Sequence, residues 1–147
     1  MDKCLFCAIA RGEIPSTRIC ESDGLIALLD IHPVRPGHTL IVPRDHYPYF
    51  DDMPEALVAE ATILGQKLAR AMKKLYGVKR VGFAFTGTDV AHVHAHVIPL
   101  VAPTDLTSRR YIVEEKLTFH LPPTPAADEM TTTAGALRAA LGVPGDR

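Results

Sequence analysis

Long runs are what this sequence lacks. No apolar stretch approaches the roughly 20 residues a membrane-spanning helix needs. No block of like charge stands out, and the formal net charge is −1. That excludes a general electrostatic attraction to nucleic acid or a membrane surface and leaves room only for a local basic pocket. Cysteines number three, an odd and small count that suggests no disulfide framework. No internal repeat and no low-complexity linker divides the chain. The opening residues, "MDKCLFCAIARGE", are too interrupted by charge for a secretory signal. The expectation is one cytoplasmic domain over residues 1–147.

What is present suits such a domain. Hydrophobic residues make up 47% and charged residues 22% of 147, an ordinary globular mix long enough to bury a core. "LIALL" at 25–29 reads as a buried strand, and "DIHPVRPG" after it as a loop. "HTLIVP" at 38–43, "VGFAF" at 81–85 and residues 92–98 read as further strands. Between them lies a long helix. Asp52 caps it in this reading, with Glu55 completing a capping box, and Gly77 ends it. Leu57, Ala61, Leu64, Leu68, Ala71, Met72 and Leu75 recur at helical spacing. Residues 102–127 are proline-rich and expected on the surface, and 128–141 form a short helix. The class is α+β: an antiparallel sheet with one long helix packed on it and a partly helical C-terminal extension.

Residues 92–99 read "HVHAHVIP", so three of the chain's seven histidines fall within five residues. In a strand His92, His94 and His96 share one face, about 6.6 Å apart, and Val93, Ala95 and Val97 share the other. Unpartnered imidazoles are costly core fillers. The row is a structural feature, a metal site of all three, or phosphate chemistry, and the last is favoured. A neutral imidazole attacks phosphorus, or donates to phosphate oxygens, near neutral pH. Cys4 and Cys7 of "CLFC" make a second constellation: a redox pair, half a zinc site, or two small buried residues.

"HVHAHVI" resembles the signature of the histidine-triad (HIT) superfamily, His-φ-His-φ-His-φ-φ. "CLFCAIARGEIPSTRI", "LIALLDIHPVRPGHTLIVPRDH" and the long helix extend the resemblance over roughly residues 4–100. The resemblance implies a HIT-like α+β fold, usually a homodimer, and cleavage at the α-phosphate of a nucleotide through a covalent nucleotidyl-histidine. The substrate is then a nucleoside phosphoramidate or a dinucleoside polyphosphate, the bound group a purine-type nucleotide. It makes His94 the nucleophile, His96 a donor to the phosphoryl oxygens, and His38 the histidine that orients the nucleophile. Asp30 matches the acid that binds the ribose hydroxyls. Phe6, Ile9, Leu28 and Ile31 match positions that enclose the base. Some members carry zinc on an N-terminal cysteine pair and two histidines, which here are Cys4, Cys7, His46 and His92, a closed structural set. One departure stands before the triad. "FAFTGTDVAHVH" is shorter than the usual loop, with Phe85 or Thr86 near the usual amide position and Asp89 three residues before His92. Asp89 is placed with the nucleotide site, where it either orients an imidazole or faces away. Loss of activity in this segment would leave the rival function, a non-catalytic nucleotide-binding regulator.

Overall fold

The computed structural model describes residues 4–86, 89–102, 105–106 and 122–143. In chain order the elements are α1 (Leu5–Ala10), β1 (Arg18–Glu21), β2 (Leu25–Leu29), β3 (Thr39–Pro43), α2 (Glu55–Tyr76), β4 (Arg80–Thr86), β5 (His94–Leu100) and α3 (Ala127–Leu141). One five-stranded sheet runs in the order β1-β2-β3-β5-β4, every neighbouring pair antiparallel. The class is α+β, as the sequence predicts.

Both faces of the sheet are covered. Leu25, Ala27 and Leu29 of β2, Ile41 of β3, and Ala95 and Val97 of β5 meet Ala61, Leu68, Ala71 and Met72 of α2 and Met130, Ala134 and Leu137 of α3. On the opposite face Ile26, Leu28, Leu40 and Val42 lie under Phe6 and Ile9 of α1. β2 is therefore buried at all five positions. This explains why "LIALL" is apolar throughout instead of alternating.

Several details differ from the sequence expectation. The long helix has a companion the sequence did not predict, α1, whereas α3 is the short helix expected over 128–141. It begins at Glu55 with Pro54 at its N-cap and no side-chain cap. The Asp52 carboxylate instead accepts the Tyr49 N–H at 3.2 Å, inside a short 3₁₀ turn over Phe50–Asp52. Proline just before the first turn loses no helical hydrogen bond there, so a start beside it is cheap. Gly77 does end α2, at φ 65°. Leu75, counted in the apolar stripe, is exposed. β1 and α1 carry too few residues for a periodic signal. The triad strand starts at His94, not His92. Of the proline-rich 102–127 stretch, residues 103–104 and 107–121 lie outside the described residues, while Pro122–Ala126 lead into α3.

Candidate active site

β5 carries His94 and His96 to the α1 face. His96 stands across from Leu40 of β3 and Ala84 of β4, and His94 across from Thr86 at the end of β4. Residues paired this way share a face. The His94 and His96 ring centroids are 5.0 Å apart. The Phe6 ring of α1 lies 4.9 Å from His94 and 5.6 Å from His92. His92 precedes the strand, fully buried, and the Val93 N–H beside it is tied to the Tyr47 carbonyl at 2.8 Å. His38 enters from the loop before β3, also buried, with its Nε2 2.8 Å from His96 Nδ1.

The hydrogen bonds have only one consistent direction. A backbone N–H can only donate, a carbonyl can only accept, and a neutral imidazole has one N–H and one lone pair. Burial pushes His38 down from its ordinary range, against the pull of Asp30, so the ring is neutral at neutral pH. Burial, with His38 and His94 nearby, pushes His96 down to about 4. The Val34 N–H points at His38 Nδ1 at 3.1 Å, so the His38 proton is on Nε2 and goes to His96 Nδ1. His96 then carries its proton on Nε2, 2.9 Å from Thr86 Oγ1. The single Thr86 hydroxyl proton is left for His94 Nε2 at 3.1 Å. His94 Nδ1 must donate to the His92 carbonyl at 2.9 Å. In neutral His94 the lone pair therefore sits on Nε2, toward Thr86.

Asp30 directly follows β2, beside this relay. Its Oδ1 accepts the His32 N–H at 2.8 Å, closing a turn, and its Oδ2 lies 3.6 Å from His38 Nε2. Phe6, Ile9 and Leu28 are buried and packed together next to His94, whereas Ile31 is 57% exposed on the following loop. Asp89 is exposed and makes no hydrogen bond or ion pair with the described residues. A cavity of about 400 Å³ opens between the 30–38 loop and the start of α3, touching Asp30 and His38 but not Phe6, His94 or His96.

Two clusters bring metal-type donors together. Cys4, Cys7, His46 and His92 each place a ligand atom within 4.8 Å of the others. Sulfur-to-nitrogen distances are 3.4 Å for Cys4–His92, 3.4 Å for Cys7–His46 and 3.5 Å for Cys7–His92. Tetrahedral zinc with bonds of about 2.3 Å to sulfur and about 2.05 Å to nitrogen needs these atoms about 3.5 Å apart. His92 Nε2 donates to the Pro43 carbonyl at 3.0 Å, which leaves its lone pair on Nδ1, toward the sulfurs. Burial and the neighbouring Cys4 push the Cys7 thiol up, against the pull of Arg11. The donor set fits a closed tetrahedral metal. Asp30, His38 and His96 also lie within 4.8 Å of one another. There the directions oppose a metal, because the Val34 N–H holds the His38 lone pair at Nδ1 and the nitrogen facing the cluster bears a proton. That cluster is a hydrogen-bond relay.

Thr86 is the residue the sequence left without a role. Its position near the usual amide site was visible, but its place between two imidazoles depends on the β4–β5 register.

The HIT domain family matches residues 11–102. An uncharacterized HIT-like protein of Methanocaldococcus jannaschii is 39% identical over 100 residues, covering 65% of this chain and 78% of that protein. The adenosine 5'-monophosphoramidase HNT1 of Saccharomyces cerevisiae is 38% identical over 97 residues, covering 65% of this chain and 61% of that one. Among solved structures, a Zn-bound histidine triad family protein from Mycobacterium smegmatis superposes with a TM-score of 0.74 at 31% identity, covering 96% of this chain and 94% of that one.

Proposed function

The chain belongs to the HIT domain family, and from that membership we propose that it is a nucleotide hydrolase or transferase that cleaves at the α-phosphate and releases a nucleoside monophosphate. The observation that carries the reading is the directed relay, which leaves the lone pair of neutral His94 on Nε2. In the first step that lone pair attacks the α-phosphorus. An N–P bond forms, and the bond to the leaving group breaks. The leaving group departs with the electron pair and takes a proton from solvent. The ring becomes a nucleotidyl-imidazolium whose Nδ1–H stays on the His92 carbonyl. Water then displaces the imidazole, returning Nε2 its lone pair and the proton to solvent. Covalent catalysis splits one hard displacement into two easier ones. His96 presents its N–H to the phosphoryl oxygens, directly or through the hydroxyl it touches. His38 holds the His96 tautomer. Asp30 accepts the ribose hydroxyls, and Phe6, Ile9, Leu28 and Ile31 border the base, a purine in this reading.

Cys4, Cys7, His46 and His92 hold a structural zinc in this reading. The metal contributes folding energy and takes no part in the chemistry. A compartment that keeps thiols reduced preserves this donor set, so the proposal places the protein in the cytoplasm. Among the described residues no helix is long and apolar enough to cross a membrane. The proposal keeps residues 1–147 as one domain and pairs two copies into a homodimer. In support, β4 is an edge strand, with Phe83 and Phe50 exposed beside it. An unpaired edge with apolar cover invites a partner.

The deciding experiment compares wild type with His94→Ala on a nucleoside phosphoramidate and a dinucleoside polyphosphate. Wild type turns over at least one and yields a nucleotidyl adduct on acid-free quenching. The variant loses turnover but still binds nucleoside monophosphate. Normal turnover by the variant removes His94 as nucleophile. Binding without turnover in wild type leaves the non-catalytic regulator.

A further inference from the structure

We propose that Thr86 is a positioning residue that masks the nucleophilic nitrogen in the free protein and transfers its hydrogen bond to the phosphoryl group when substrate binds. This rests on the reading of His94 as nucleophile. Thr86 Oγ1 lies 3.1 Å from His94 Nε2 and 2.9 Å from His96 Nε2. It is the one described side chain that touches the second ring nitrogen of both. The proton count around it is closed. The Val34 N–H sets His38, His38 sets His96, and His96 donates to the threonine oxygen. A hydroxyl has one proton, and the remaining direction is His94 Nε2. The lone pair needed for attack is thus capped in the resting protein.

An incoming phosphate changes the competition. An anionic oxygen is a stronger acceptor than a neutral imidazole nitrogen, because charge-assisted hydrogen bonds are roughly twice as strong as neutral ones. Thr86 is exposed at the end of β4, so the phosphate can reach it. Rotation of the hydroxyl about its C–O bond is enough. The chain from Val34 through His38 and His96 then ends on a phosphoryl oxygen instead of on His94. No proton changes owner, and no ring has to move. His96 stays bonded to the threonine oxygen and polarises its O–H toward the phosphate. The nucleophile is uncovered only when a phosphate is present to receive it. His96 acts on the phosphoryl group through Thr86.

The test uses the 147-residue chain as purified and three variants. Thr86→Val keeps the branched shape and removes the hydroxyl, Thr86→Ala repeats the loss with less bulk, and Thr86→Ser keeps the hydroxyl. The first two should lower kcat on a nucleoside phosphoramidate by about 10–100-fold, the scale of one lost donor at a phosphoryl group. Nucleoside monophosphate binding should change far less, and Thr86→Ser should stay within about threefold of wild type. The second reading is the ¹⁵N resonance of His94 Nε2. In wild type it should shift when adenosine monophosphate is added, as the hydroxyl leaves it. In Thr86→Val it should already lie at the position of an uncapped nitrogen before nucleotide is added. Turnover of Thr86→Val equal to wild type, or an identical Nε2 resonance in the two free proteins, overturns the proposal. The resonance needs no turnover, so a catalytically silent wild type, which would sink the hydrolase reading, is told apart from failure of the masking role.

Discussion

Burial keeps His96 neutral down to about pH 4, with His38 and His94 adding to the shift and Asp30 opposing it. The same burial depresses His38, whose Nε2 is bonded to His96. Neutrality is the condition for the relay, because a protonated His96 has no lone pair left for the His38 N–H. The consequence for stability follows from linkage. In the unfolded chain an imidazole titrates near about 6.5, and in the folded chain His96 titrates at about 4. As pH falls through that window the unfolded state takes up a proton that the folded state refuses. Stability is therefore full above about pH 6.5 and is lost on the way down to about 4. The ring is not sealed from water, so the loss is discounted to about 1 kcal/mol between pH 7 and 5. The groups facing it are His38, His94, Asp30 and the Thr86 hydroxyl. His96→Asn should flatten part of the decline in melting temperature over this range, measured on chelator-treated protein so that metal release adds nothing. An equal decline in the variant would mean that His96 is not the group resisting protonation.

The 30–38 loop does for the site what no single strand does: it returns the chain from Asp30 to His38 and fixes both. Gly37 makes the return possible. Its φ is 89°, a region that side chains rarely adopt, and a Cβ there would sit 2.6 Å from the Tyr76 ring. Gly37→Ala should cost about 1–3 kcal/mol and displace His38 from His96, lowering turnover. Gly77, at φ 65° with nothing within 4 Å of its would-be Cβ, is the control. Gly77→Ala should cost about 1 kcal/mol and leave activity intact. Equal melting temperatures and equal turnover for the two variants would remove the special role given to the loop. Elements also mark where the sequence could and could not be read. β2 and the body of α2 were legible because apolar runs and helical spacing extend over enough residues to declare themselves. α1 was not, since six residues carry no period. The start of α2 was misread because Asp52 has the chemistry of a cap but spends it on a 3₁₀ turn. Within the site, His94 and His96 were legible by type and spacing, and His38 only through the resemblance of "PGHTL" to the family. Thr86 was not, because its role comes from lying opposite His94 across β4 and β5, a register that residue types do not encode. The directions of the relay were hidden for a similar reason: they are set by the backbone N–H of Val34 and the backbone carbonyl of His92, groups that every sequence possesses.

Across the whole molecule, the four zinc-type donors come from places far apart in the chain. Cys4 stands at the N-cap of α1 and Cys7 within it, His46 in the loop after β3, and His92 on the approach to β5. α1 buries Phe6 and Ile9 on its face of the sheet, with Ala10 partly buried beside them, on top of Ile26, Leu28, Leu40 and Val42. A six-residue helix has little propensity to hold itself, so that face depends on what ties α1 down. A metal bound here would fasten it at both cysteines and would also fix His92, whose carbonyl holds His94 Nδ1. Cohesion and catalysis then meet at one residue through different atoms, the His92 ring for the metal and its backbone oxygen for the nucleophile. Protein purified without added metal should contain about one zinc per chain. Cys4→Ser should lower zinc content and melting temperature together, since a structural site contributes folding free energy that a broken donor set forfeits. Turnover should survive at low temperature, because the carbonyl of His92 stays in place while the fold does. A variant that keeps its melting temperature while losing zinc would reduce the cluster to a buried thiol pair. A variant that stays folded but loses turnover at low temperature would mean that the metal reaches the nucleophile through the His92 backbone, and the separation of anchor from chemistry would fail.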